Sequence, residues 1–212
     1  MTTKLRLYND ALRYIKHRKL SGLTESVEAR RVLDDAYTGL VNAVLEQGGW
    51  KFAMRASALE YDSDITPSFG YARAFAQPTD YVRLYALSHD EYHHNPLLDF
   101  KEEAGYWYSH YDTVYVSYVS NDTSFGGDLS AWPETFARYA ALWLANEVVE
   151  RLNPEMDPDR VERKMRTALA DAQAKDAIAM APAFAHQGTW TRARARGTGS
   201  RRDRGNRGSL IG

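Results

Sequence analysis

Leu45-Glu46-Gln47-Gly48-Gly49-Trp50-Lys51-Phe52-Ala53 is the stretch on which the fold turns. Upstream of it, apolar residues recur every three or four positions; downstream they alternate. A glycine pair is the expected stop for a helix, because glycine takes the left-handed C-cap conformation without steric cost. Trp50, Phe52 and Met54 then fall on one face at period two, the pattern of a strand opening with large apolar anchors. The stretch therefore reads as a handover from an α part to a β part, with Gly48, Gly49, Trp50 and Phe52 as the helix-to-sheet hinge.

Working backwards, Leu5, Tyr8, Leu12 and Ile15 predict a helix within Lys4 to Lys19. A short link at Leu20-Ser21-Gly22-Leu23 leads to Thr24, the expected N-cap of a second helix that opens with Glu25 and Glu28. That helix turns Val27, Leu33, Tyr37, Leu40, Val41, Val44 and Leu45 inward, and the pair reads as an antiparallel hairpin.

Working forwards, period-two segments are expected at Trp50 to Leu59, Tyr71 to Phe75, Val82 to Leu87, Leu97 to Lys101, Gly105 to Ser109 and Thr113 to Val119. Helices resume after Trp132-Pro133-Glu134, with Phe136, Tyr139, Ala140, Trp143, Leu144, Val148 and Leu152 in one stripe. A fourth begins at Asp157-Pro158, carries Val161, Met165, Leu169, Ala172 and Ile178 inward, and ends before Pro182. The expected fold is α+β. Residues 1–49 and 130–181 make a four-helix bundle, 50–129 an inserted antiparallel β region, and 182–212 an extended Arg-rich arm.

Composition narrows the chemistry. Of 212 residues 44% are hydrophobic and 26% charged, as in ordinary globular chains, and there is no cysteine for disulfides or thiolate metal sites. The N-terminus has no apolar signal core, and the longest apolar run, Tyr139 to Ala145, is far short of the ~20 residues a membrane helix needs. A soluble intracellular product is expected, with no membrane partner. The net charge of −1 conceals two parts: seven Arg and one Asp lie within Thr189 to Gly212, leaving 20 basic and 27 acidic residues elsewhere. An acidic body carries a basic tail.

The candidate chemistry is sparse. His89 and His93 would share a helix face at i, i+4 as metal ligands do, but Asn95-Pro96 directly after His94 favours a solvated polar turn. Asp34-Asp35 and Glu102-Glu103 read as solvated surface. Gly126-Gly127 lacks the Lys-Ser/Thr that would make a phosphate loop, and no serine sits in a nucleophile elbow. Neither enzyme, metal nor cofactor is expected. Tyr106, Tyr108, Tyr115 and Tyr118 put tyrosine on both faces of a sheet, which suits a protein interface. The tail's Trp190, Arg192, Arg194, Arg196, Arg201, Arg202, Arg204, Arg207, Leu210 and Ile211 fit an arm that orders on an acidic protein surface, a nucleic-acid arm, or a solvated tail with no defined partner.

Several stretches, in this order, carry a family resemblance: Asn9-Asp10-Ala11-Leu12; Leu23-Thr24-Glu25 with Ala29-Arg30-Arg31; Leu45 through Ala53; Phe69-Gly70-Tyr71-Ala72-Arg73-Ala74-Phe75-Ala76-Gln77-Pro78-Thr79-Asp80-Tyr81-Val82-Arg83; Glu103-Ala104-Gly105-Tyr106-Trp107; and Trp132-Pro133-Glu134. Over about residues 5 to 185 the chain resembles the head-to-tail adaptor, or tail tubular protein A, family of tailed bacteriophages, chiefly the short-tailed ones. Lys51 stands where that pattern has Asn, on what reads as a solvent-facing strand position. The resemblance implies a structural virion protein made in the host cytoplasm, a ring of twelve copies between the portal protein and the tail nozzle or tail tube. Genomic DNA would pass through its lumen without sequence-specific binding, and the tail from Trp190 onward would dock on the portal or a neighbouring subunit. The alternative is a nucleic-acid-binding protein acting through its Arg-rich tail.

Overall fold

Thr3 starts the first helix, its hydroxyl accepting the backbone N–H of Arg6. The computed structural model describes residues 1–178. In it α1 (Lys4–Tyr14) buries Leu7, Tyr8, Ala11 and Leu12 and stops where Lys16 turns left-handed at φ 56°. The link to α2 (Glu28–Leu45) is longer than the spacing suggests. Thr24 does not cap α2; Val27 occupies the N-cap position without a side-chain bond. The reason is local. Glu25 is engaged with the Ser21 N–H and with Arg18, and Asn9 clamps Leu20 by both its amide atoms. These bonds fold the link back onto α1 and delay the helix.

The next elements are a single 3-10 turn at Lys51–Ala53, then β1 (Met54–Glu60), β2 (Arg73–Ala76), β3 (Tyr81–Ser88), β4 (Lys101–Glu103), β5 (Tyr106–Ser109) and β6 (Thr113–Ser120). A second 3-10 turn, Leu129–Ala131, precedes α3 (Glu134–Leu152), and α4 (Pro158–Ile178) follows. Five of the alternating segments coincide with strands whose ends are shifted, but the expected Leu97 to Lys101 segment meets β4 only at Lys101, and Leu97 instead enters the strand core from a loop. Trp50 and Phe52 are not strand residues, however, because the 3-10 turn intervenes before Met54.

The expected four-helix bundle with one inserted antiparallel β region is corrected. The fold is α+β with four helices and two three-stranded antiparallel sheets, ordered β1-β6-β3 and β2-β5-β4. The strands are no mere insertion, since they enclose a core of their own: Phe75, Leu87, Leu97, Trp107, Val114, Val116 and Tyr118. In the second sheet Phe75 pairs with Trp107, and the β4–β5 hairpin turns on Ala104 and Gly105, at φ 51° and 83°. Positive φ at both turn residues matches the right-handed twist of the strands.

The expected α1–α2 hairpin is corrected as well: these two helices come together chiefly through α3. α1, α2 and α4 each pack along α3. Phe136, Tyr139, Ala140, Ala141, Leu144, Ala145, Val148 and Val149 are buried around much of its circumference, as a central helix requires. α1 and α2 are bridged through side chains: the Tyr8 hydroxyl donates to Asp34 at 2.8 Å, and Lys4 pairs with the same carboxylate at 3.0 Å. On α4, Val161 and Ala172 are buried as expected, but Ile178 is 82% exposed. No helix among the described residues is long and apolar enough to cross a membrane. Strand β6 serves both cores, with Val114, Val116 and Tyr118 in the strand core and Val119 in the helical one.

Candidate functional site

The handover stretch becomes a densely tied junction. Trp50 is 2% exposed and its indole N–H donates to the Val44 carbonyl at 3.1 Å, closing the end of α2. Its ring meets Phe136 edge-on at 4.7 Å; Phe52 and Trp132 meet Phe136 at 4.8 Å each. The Trp132 indole donates to the Gly126 carbonyl at 2.8 Å. Around this cluster Asn121 donates to Asn42, Gln173 to the Gln47 carbonyl, and Arg83 to the Glu46 carbonyl. Side chains from β3, α3 and α4 thus converge on the nine residues Leu45 to Ala53, and the loop after β6 is tied to α2 beside them.

Two details differ from the sequence reading. Gly48 and Gly49 do not adopt the left-handed conformation, and the α2 C-cap is Glu46 in right-handed geometry. The glycines serve close approach instead: a Cβ on Gly48 would lie 3.0 Å from the Trp50 ring, and one on Gly49 3.0 Å from that of Tyr85. Lys51 is not a solvent-facing strand residue. Its backbone N–H donates to the Asp176 carboxylate at 3.1 Å and its ammonium donates to the Asp176 carbonyl, tying the junction to α4.

Three carboxylates organise the polar structure. Asp34 accepts from Tyr8 and Arg30 and pairs with Lys4; burial pushes its pKa up, but the bonds from Tyr8 and Lys4 and the nearby cations hold it below the ordinary value. Asp80 accepts from Arg55, Tyr118 and Ser120 and is likewise held low against the effect of burial. Tyr118 is pushed up to about 12, first by burial and then by the Asp80 charge. Asp90 accepts backbone N–H groups from Tyr92, His94 and Asn95 and the Ser88 hydroxyl, so the His-rich segment is a turn wrapped around one carboxylate. Within it His89 stacks on Tyr111 at 5.0 Å, and Tyr92 on His94 at 5.6 Å. Among the described residues no group of three or more His, Cys, Asp or Glu is placed to hold a metal ion.

A prediction follows from the first two carboxylates. Their folded pKa values lie below the unfolded value of about 3.9, so the unfolded chain binds more protons as pH falls. Their contribution to stability is complete above about pH 5 and is lost as pH falls through the folded values. Melting temperatures at pH 7, 5 and 3 should fall steeply only across the last interval. Asp80→Asn should melt lower at pH 7 yet lose less between pH 5 and 3; an unchanged acid loss would show that Asp80 contributes none of it.

Two surfaces remain open. Around the strands, Leu98 is 93% and Tyr92 71% exposed, with Tyr61, Phe69, Tyr85 and Tyr111 also exposed. Arg73 lies 4.0 Å over Tyr61 and Lys101 4.4 Å over Phe69, so aromatic faces here already hold cations. On the helical side, a groove of about 600 Å³ is lined by α1, α3 and α4, with Ala137, Leu142 and Ala168 beneath a rim of charge. Arg13 is paired with Asp10, and Arg163 with Asp157. Arg138, Arg160 and Lys164 have no ion-pair partner among the described residues.

Of the expected site residues, Gly48, Gly49, Trp50 and Phe52 come together at the junction. Trp190, Arg192, Arg194, Arg196, Arg201, Arg202, Arg204, Arg207, Leu210 and Ile211 lie outside the described residues. Asp34, Asp80 and Asp90 were not distinguishable as hubs in the sequence; Asp80 ending Gln77-Pro78-Thr79-Asp80 was the nearest signal, a turn residue able to accept several donors. Comparison of the chain with protein-family models finds no matching family, and comparison with curated proteins finds no match.

Proposed function

We propose that the protein is a structural head-to-tail adaptor of a tailed bacteriophage, assembling as a ring between the portal protein and the tail nozzle or tube. The observation that carries this reading is the junction. The residues of the resemblance at Leu45 through Ala53 are held to α3 by aromatic packing, to α4 through Asp176 and to β3 through Arg83. A body tied in this way holds its surfaces in fixed relation, which suits a coupling piece. The exposed aromatic residues around the strands supply the kind of surface that protein partners cover.

Charge agrees with a channel role. Outside Thr189 to Gly212 the chain has seven more acidic than basic residues, so its summed field repels duplex DNA and lets it slide, where a basic wall would grip its phosphates. In this reading the protein performs no catalysis, and the Arg-rich tail docks on the portal or on a neighbouring copy.

Deleting residues 189–212 is expected to abolish attachment to portal-containing heads. Normal attachment of the shortened protein would remove the tail from the proposal. Filter binding of duplex DNA over a salt series separates the nucleic-acid alternative, which requires tight affinity falling steeply with salt.

A further inference from the structure

The groove and its unpaired cations have a counterpart on the same molecule. Glu147 and Glu150 are exposed on α3, and neither has an ion-pair partner among the described residues. At 3.6 residues per turn, Glu147 lies about 180° around α3 from Arg138, and Glu150 about 120°. The central helix therefore shows Arg138 on its groove side, where Glu134 is already paired with Arg6, and Glu147 and Glu150 away from it, where Arg151 is already paired with Glu28.

We propose that the groove of one copy receives Glu147 and Glu150 of a second copy, with Arg160 and Lys164 as their partners and Arg138 beside them. This deepens the ring reading and rests on it. The axial levels agree. Asn153–Asp157 turns the chain back so that α4 runs antiparallel to α3, and Leu142 and Ala168 share the groove floor. Counting from that pair along antiparallel helices, Lys164 stands near the level of Glu147 and Arg160 near that of Glu150. Two copies can thus meet through these charges with their α3 helices level, and where the ring axis runs along α3 such a contact has no axial offset of the kind that gives a helical filament.

Because the two surfaces are different, the contact is heterologous, and each copy keeps one groove and one acidic face free for the next. The carboxylates Asp10, Glu134 and Asp171 at the rim favour an occupant with a few discrete negative charges over the continuous phosphates of nucleic acid. Pairs formed at such a rim are screened by salt, so assembly is salt-sensitive.

Sedimentation velocity of the full chain at low and high salt tests the pairing. The natural chain is expected to form multimers at low salt that dissociate as salt rises. Arg160→Glu with Lys164→Glu, and separately Glu147→Lys with Glu150→Lys, should each weaken self-association by at least about 100-fold, since like charges then oppose across the contact. The chain carrying all four reversals should form multimers again, as should an equimolar mixture of the two reversed chains. All four side chains are exposed, so the reversed chains should melt like the natural one. Multimers that survive either single reversal overturn this interface and leave the ring reading standing, closed through another surface. A natural chain that stays monomeric at every concentration also overturns the pairing, and attachment to portal-containing heads then decides the ring reading by itself.

Discussion

Trp50→Ala is expected to lower stability by about 3–5 kcal/mol. The ring is almost completely buried, touches Phe52 and Phe136, and donates its indole N–H to Val44. Truncation removes the packing and also leaves the Val44 carbonyl without its partner at the end of α2, where helix carbonyls already lack intrahelical donors. Trp50→Phe separates the two losses, keeping most of the buried area while forfeiting the hydrogen bond. Urea unfolding measures both. A loss below about 1 kcal/mol for Trp50→Ala would show that the cluster around Phe136 closes over the gap, and that Trp50 is not what holds the junction.

Gly126→Val should cost more than an ordinary overpacking change, which is about 1–3 kcal/mol. A Cβ at Gly126 would lie 2.3 Å from the Ser120 carbonyl oxygen, 2.8 Å from Leu45 and 2.9 Å from the Ala53 Cβ. The first obstacle is backbone at the end of β6, so no rotamer change relieves it. The carbonyl of Gly126 is also the acceptor for Trp132, so displacement of this loop disturbs the aromatic cluster from its other side. Gly70→Ala is the matched control, because nothing lies within 4 Å of a Cβ there. A fall in the urea midpoint for Gly126→Val, with little change for Gly70→Ala, is the expected result. Equal midpoints would show that the loop between β6 and α3 gives way freely.

These two positions show where sequence and structure part. The alternation of Val114, Val116 and Tyr118 identifies β6, and the stripe from Phe136 to Val148 identifies α3, because both patterns are written locally in the chain. Which strands pair is not. Met54 meets Val119 and Phe75 meets Trp107 across long separations, so one sheet and two sheets give the same alternation. Trp50, Phe52 and Met54 at period two mimicked a strand because three residues of 3-10 helix are too few to show a period of their own.

Gly48-Gly49 suggested a left-handed cap for a sound general reason. Here Gly48 answers to the ring of Trp50, folded back over it, and Gly49 to that of Tyr85, which arrives from β3 and leaves no local mark. Asp34 and Asp35 are neighbours with opposite fates: Tyr8, Lys4 and Arg30 converge on the first, while the second is exposed. Only the packing of α1 beside α2 makes that choice.

The central place of α3 has a consequence for how the chain is made. Leu7, Leu12, Leu33 and Leu40 belong to the core that surrounds Glu134–Leu152, yet they leave the ribosome about a hundred residues earlier. Until α3 follows, the first two helices have no partner for their apolar faces, and β1 waits for β6 to arrive. Such late, non-local closure slows folding and exposes the nascent chain to aggregation. Synthesis interrupted before Glu134 should therefore yield fragments that need chaperones and are readily degraded, because the first two helices still lack the helix on which they pack even though all six strands are present.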